Sequence, residues 1–150
     1  MAIYYTDGAC SSKDNCGGWS CICVDGPTYY GYEENTTNNR MELLGVITAL
    51  QHFSAQMEIG ATVYTDSAYI SNCFKDKWYV NWRKNGWKNA SKQPVKNRDL
   101  WERLIGLYEN LKPRMVIVAK VKGHDGDTYN EMCDKLAVKA RKEKIENKYE

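Results

Sequence analysis

Apolar positions recur along this chain with two periods, and the change from one to the other marks out its elements. Residues 3–6, 19–24 and 28–32 are short runs rich in β-branched and aromatic side chains, separated by glycine-rich or Gly-Pro stretches. They predict three strands in an antiparallel meander. Leu43, Val46, Ile47, Leu50 and Phe53 then repeat at helical spacing and predict a core-facing helix. Residues 61–65 read as a fourth strand, with a helix beginning near Ser67. Leu100, Leu104, Leu107, Tyr108 and Leu111 mark a later amphipathic helix that must stop by Pro113. Residues 115–119, Met-Val-Ile-Val-Ala, show no alternation and predict a strand covered on both faces. Met132, Leu136 and Ala140 predict a last helix, followed by a solvated tail at residues 141–150 rich in Lys and Glu.

Three strands followed by helix, strand, helices, strand and helix define an α/β chain. Its sheet is five-stranded and mixed, with an antiparallel meander first and parallel strands after it, and helices on both faces. In that layout the strands at 3–6 and 61–65 are parallel neighbours. Each runs into Tyr-Thr-Asp, in IYYTDG and TVYTDS, so Asp7 and Asp66 are expected at one sheet edge, where such sheets bind ligands.

At 150 residues the expectation is one domain over 1–150. No apolar run approaches the roughly 18 residues of a membrane span, and the N-terminus lacks the pattern of a signal peptide. A cytoplasmic chain without a membrane partner is expected. The six cysteines match no familiar zinc spacing and read as free thiols. Cys21 and Cys23, two apart on a strand, read as small buried side chains. The net charge is only +2, but residues 75–98 hold eight Lys or Arg against Asp76 alone, a local charge of +7 that leaves −5 elsewhere. This basic protrusion, with Trp78, Trp82 and Trp87 among its cations, is a candidate polyanion contact.

Asp7 and Asp66 gain meaning from two further acids. Glu42 falls in the first turn of the predicted helix, and Asp134 falls early in the last one. Four carboxylates in a small volume raise one another's pKa unless cations intervene. Oxygen-only ligands of high charge suit Mg²⁺ or Mn²⁺, and two such ions suit phosphodiester cleavage. Taken singly, each acid has a plainer reading: an Asx turn for either strand-end aspartate, a capping box from Asn39 to Glu42, a surface position for Asp134. The set carries the argument.

The ordered segments YTDG, TTNNRMEL, YTDSAYI, WYVNWRKNGWK, PVKNRDLW and GHDGDTYNEMCDKLA resemble ribonuclease HI of the bacterial type with a basic protrusion. The resemblance spans nearly the whole chain. It implies a ribonuclease H-like fold and an endonuclease that cuts the RNA strand of an RNA/DNA hybrid with two Mg²⁺ ions, Mn²⁺ being an alternative, to leave 3′-hydroxyl and 5′-phosphate ends. It implies that Asp7, Glu42, Asp66 and Asp134 bind the metals and that His124 assists proton transfer or product departure. A monomer acting on RNA/DNA hybrid is expected.

By the same resemblance, Cys10, Asn38 and Ser67 stand where the family touches the RNA strand, whose 2′-hydroxyls distinguish it from DNA. Thr37 and Asn97 stand where it holds a DNA phosphate, and Thr37 also suits that role by its nearness to a helix N-terminus. Trp78, Lys84 and Lys88 fall in the basic handle that follows the DNA strand, whereas Trp82 and Trp87 read as structural. Three departures concern substrate contacts: Asn35 replaces a frequent arginine, Ala68 replaces a frequent glutamine, and residues 11–16 replace a Gly- and Pro-rich loop. Two other readings remain open. An integrase- or resolvase-like nuclease would share the carboxylates but not TNNRMEL, and a catalytically silent hybrid-binding module would need only the protrusion.

Overall fold

The computed structural model describes residues 1–121 and 128–145 in full and the backbone of 148 and 149. Among the described residues the chain runs β1 (Ala2–Ser11), β2 (Cys16–Cys23), β3 (Thr28–Glu34), α1 (Asn38–Ser54) and β4 (Gly60–Thr65). It continues through α2 (Ala68–Asp76), α3 (Trp78–Lys84), α4 (Arg98–Asn110), β5 (Met115–Lys120), α5 (Thr128–Glu143) and β6 (Lys148–Tyr149). The sheet order is β5-β4-β1-β2-β3-β6. The expected meander is present as antiparallel β1–β2 and β2–β3 pairs, and the expected parallel part as β1–β4 and β4–β5.

The five-stranded core is thus the predicted one, with one addition. Residues of the charged tail form β6, which pairs antiparallel with Tyr29 and Tyr30 of β3. A two-residue strand has no periodicity to read; it forms because the β3 edge offers unpaired backbone groups.

β1 is longer than its apolar run, and this matters for the site. Its pairing with β4 stops at Tyr5↔Tyr64, whereas its pairing with β2 continues to Ser11↔Cys16. Asp7 therefore lies within β1, just beyond the point where β4 leaves it, rather than at a strand end. Backbone pairing with β2 carries the small residues Gly8 to Ser11 as strand, although they have no alternating apolar signal.

Adjacent strand residues point to opposite faces, and Gly17 and Gly18 of β2 show which helix covers each. A Cβ at Gly17 would meet Met41 of α1, and one at Gly18 would be driven into the backbone of Ala137 in α5. Helices thus pack on both faces at distances that only glycine permits. Gly18→Ala is expected to cost about 3 kcal/mol, the upper range for overpacking, because the obstacle is backbone. Urea denaturation would check it, and an unchanged midpoint would contradict this packing.

α1 starts at Thr37, whose hydroxyl oxygen accepts from the Arg40 amide at 3.3 Å, and it buries Leu43, Val46, Ile47, Leu50 and Phe53 as predicted. α4 adds Leu100, Trp101, Leu104 and Ile105 to the same core. Two expectations are corrected. α5 buries Asn130, Cys133, Ala137 and Ala140, while Met132 is 45% exposed, because the packed face selects small residues that let the helix approach β2. In β5 only Val118 is buried, and Ile117 is 45% exposed. A continuous apolar run cannot reveal that α5 crosses β1, β2 and β3 and leaves this part of the sheet uncovered. All six cysteines are free, and Cys21 and Cys23 are buried. Among the described residues no helix is long and apolar enough to cross a membrane.

Candidate active site

The parting of β1 from β4 opens a notch, and three carboxylates fill it. Asp7 comes from β1, Asp66 from the turn after β4, and Glu42 from the second turn of α1. One carboxylate oxygen of each lies within 4.8 Å of the others. Glu42 sits five residues beyond the Thr37 cap, so it is not the third-position acid of a capping box. Gly8 makes the meeting possible: a Cβ there would lie 2.6 Å from the Glu42 amide nitrogen and 2.7 Å from the Met41 carbonyl carbon. β1 and α1 therefore touch backbone to backbone beside the acids.

Asp7 is 5% exposed and Glu42 is 4% exposed, whereas Asp66 faces solvent. Burial, followed by the charges of Asp66 and Asp134, pushes Asp7 up to about 7, even though the Gly8 amide donates to its Oδ1 at 2.8 Å. Burial, then the charge of Asp7, pushes Glu42 up to about 9. Glu42 Oε2 is buried with no hydrogen-bond partner. Buried acids that repel one another and leave an acceptor unsatisfied form an incomplete site until a cation enters. The donor set is all oxygen and fits a hard divalent ion. Asp134, exposed on α5, lies outside the close trio, but its charge reaches Asp7. His124 lies outside the described residues.

The other predicted residues fall into two groups. Ser67 caps α2, its oxygen accepting from the Ile70 amide at 3.1 Å, and its hydroxyl proton remains available to a ligand. Cys10, on β1 beyond Asp7, donates its thiol to the Thr36 carbonyl at 3.4 Å. Asn38 opens α1. Thr37 and Asn97 are linked through Arg40, a residue whose role the sequence reading missed. Its guanidinium holds both Asp99 oxygens at 3.0 and 2.9 Å and reaches Asn97 Oδ1 at 3.4 Å, joining the start of α1 to the start of α4. The Asn35 side-chain oxygen accepts from Asn15 Nδ2 at 2.8 Å and ties the end of β3 to the β1–β2 turn.

The basic segment forms α3 and the following loop. Trp82 and Trp87 are buried against Trp101 and Arg98 respectively, the structural role expected of them. Trp78 is less buried and lines an open groove of about 600 Å³ together with Tyr69, Lys84 and Lys88, with Trp82 also at its wall. Its three predicted contact residues, Trp78, Lys84 and Lys88, thus share one surface.

A parted mixed sheet presenting clustered carboxylates, with a cationic groove on the same chain, defines a phosphodiester hydrolase that works with divalent cations. The RNase H family model matches residues 1–142. The chain is 47% identical over 138 residues to a ribonuclease H of Caldicellulosiruptor saccharolyticus, covering 90% of this chain and 92% of that protein. It is 48% identical over 144 residues to one of Syntrophomonas wolfei, covering 93% and 95%. Its fold is similar to the crystal structure of LC9-RNase H1, a type 1 RNase H with the type 2 active-site motif, with TM-score 0.78 and 27% identity over 96% of this chain and 73% of that one. The chain belongs to the ribonuclease H family.

Proposed function

We propose that this chain hydrolyses the RNA strand of RNA/DNA hybrids, leaving 5′-phosphate and 3′-hydroxyl ends. Asp7, Glu42 and Asp66 are the core ligands of two divalent ions, Mg²⁺ in the first place with Mn²⁺ as a substitute, and Asp134 completes the set. The observation that carries this reading is the convergence of three carboxylates, two of them buried, in a member of this family. When bound, the ions supply an activated water and neutralise charge on the leaving oxygen. The protein's own part is to hold the ligands rigid: Gly8 fixes Asp7 through its amide, and the α1 backbone fixes Glu42. His124 serves the leaving group or the departing product.

Substrate contacts extend from the same frame. Ser67, Asn38 and Cys10 face the RNA strand; a contact from the Cys10 thiol competes with its bond to Thr36. Thr37 and Asn97 hold a DNA phosphate, with Arg40 keeping them together. Trp78, Lys84 and Lys88 receive the DNA strand further along, so residues 75–98 act as the basic protrusion of one catalytic domain. One chain supplies every group in this scheme, which supports a monomer, and six free thiols suit the reducing cytoplasm.

Incubation with labelled RNA/DNA hybrid, duplex RNA and duplex DNA, with Mg²⁺ or chelator, tests the reading. Metal-dependent cutting of RNA in the hybrid alone is expected. Cutting of duplex DNA would favour an integrase- or resolvase-like activity, and binding without cutting a silent module. Replacing Lys84 and Lys88 together by Ala should weaken hybrid binding across all sequences. It should also lower the salt slope by about 1 per lysine, as lost phosphate contacts do. A salt titration of binding that leaves the slope unchanged would remove these lysines from the interface.

A further inference from the structure

Asp134 stands on α5 outside the close trio of acids, and a set of contacts around its neighbour Cys133 holds the start of α5 on β1 and β2. Ser20 lies directly across from Asp7 in the β1–β2 register and is fully buried. Its hydroxyl donates to the carbonyl of Cys133, the residue before Asp134, at 2.7 Å. The Cys133 thiol in turn donates to the carbonyl of Tyr5 at 3.0 Å. One turn earlier, Tyr129 stacks on the Tyr5 ring with centroids 5.2 Å apart and planes at 16°, and Tyr5 stacks on Tyr64 at 5.0 Å and 24°. Tyr5 precedes Asp7 by two residues, and Tyr64 precedes Asp66 by two. The aromatic ladder therefore joins β1 and α5, which carry Asp7 and Asp134, to β4, which leads into Asp66.

We infer that Ser20 and Tyr129 are positioning residues, which clamp the first two turns of α5 onto β1 and thereby set the distance from Asp134 to Asp7 and to the metal site. The inference rests on the proposed role of Asp134 as a ligand. The Ser20 bond is additional to the helix, since a mid-helix carbonyl already accepts from the amide four residues on. It adds registry rather than helical structure. A β-strand serine, read alone, has no reason to matter for chemistry; the cross-strand pairing with Asp7 supplies one. Groups that orient metal ligands from behind typically change metal affinity or activity by 10- to 100-fold.

The test compares Ser20→Ala, Tyr129→Ser, Tyr129→Phe and, as control, Asp134→Asn. Mg²⁺ titrations of hybrid cleavage, Mn²⁺ binding by calorimetry without substrate, and hydrogen exchange of α5 amides are measured on each. Expected are a rise of about 10-fold in the half-saturating Mg²⁺ and weaker Mn²⁺ binding in Ser20→Ala and Tyr129→Ser. Faster exchange in the first two turns of α5 should accompany them, with KM for hybrid near the parent value. Tyr129→Phe keeps the stack and should behave as the parent. Parent-like metal titration and exchange in both disrupting variants would overturn the inference. So would a loss of kcat that saturating metal does not restore, accompanied by a general fall in stability. If Asp134→Asn binds and uses metal as the parent does, the ligand role of Asp134 is overturned, and the inference fails with it. The exchange data still decide whether the clamp exists.

Discussion

Asp7→Asn is expected to reduce hybrid cleavage by about 10³-fold or more while the fold becomes more stable. Asparagine keeps the shape and can still accept from the Gly8 amide, so the packing of β1 on α1 survives. What it removes is one negative ligand of the proposed metal site, and a loss of three decades corresponds to about 4 kcal/mol of transition-state stabilisation, within what metal positioning supplies. The gain in stability has a separate cause. Asp7 is buried beside Glu42, with the Asp66 and Asp134 charges close enough to act on it, and none of these acids compensates another without a cation. Initial rates on labelled hybrid and thermal unfolding in chelator measure the two halves. Cleavage at the parent rate would remove Asp7 from the chemistry, and an unaltered unfolding midpoint would mean that its charge is not a burden.

The second large effect is a pH dependence of the metal-free protein. Asp7 is pushed up to about 7 and Glu42 to about 9, each above its ordinary carboxylate value of 3.8 or 4.5. A raised folded pKa means that the folded chain binds protons more tightly than the unfolded one. Its stabilising contribution is then complete below about pH 4 and disappears as pH rises through 7 and 9. In chelator, stability should therefore fall between pH 5 and pH 9, by an amount on the order of several kcal/mol if both acids ionise. Asp99 and Glu109, held below the ordinary range by hydrogen bonds from Arg40 and Arg83, act in the opposite sense. They are lightly buried and affect only the acid end. Added Mg²⁺ should restore stability most at high pH, where both ligands are ionised. Denaturant midpoints at pH 5, 7 and 9 with and without Mg²⁺ give the result, and a slope unchanged in Asp7→Asn would assign the dependence elsewhere.

The carboxylates were legible in the sequence because two independent constraints met on them. Strands joined by helices must run parallel, and both such strands end their apolar run in Tyr-Thr-Asp. What sequence could not provide was the length of β1. Its second half is held by β2 pairing, not by side-chain burial, and that moved Asp7 from a strand end to a parting between strands. The exposed face of β5 was hidden for a similar reason, since an apolar run carries no information on which helix covers it. Arg40 lay in plain view within TNNRMEL, but its partners Asp99 and Asn97 are nearly sixty residues away and no spacing rule connects them. Ser20 was less visible still. Its importance is a matter of register with Asp7.

α1 has one more consequence. Thr37 caps it, its first turn carries Arg40, and its second turn carries Glu42, with the backbone there pressed against Gly8. A helix rises about 1.5 Å per residue, so Thr37 and Glu42 are fixed about 7.5 Å apart along its axis. That segment cannot stretch. With Thr37 on a DNA phosphate and Glu42 on a metal, as proposed above, it would act as a caliper: a duplex seated at Thr37 would bring its other strand to the carboxylates only if the spacing across its groove matched. Selection among duplexes would then begin as a measurement of width, made by five residues of rigid backbone before any hydroxyl is touched.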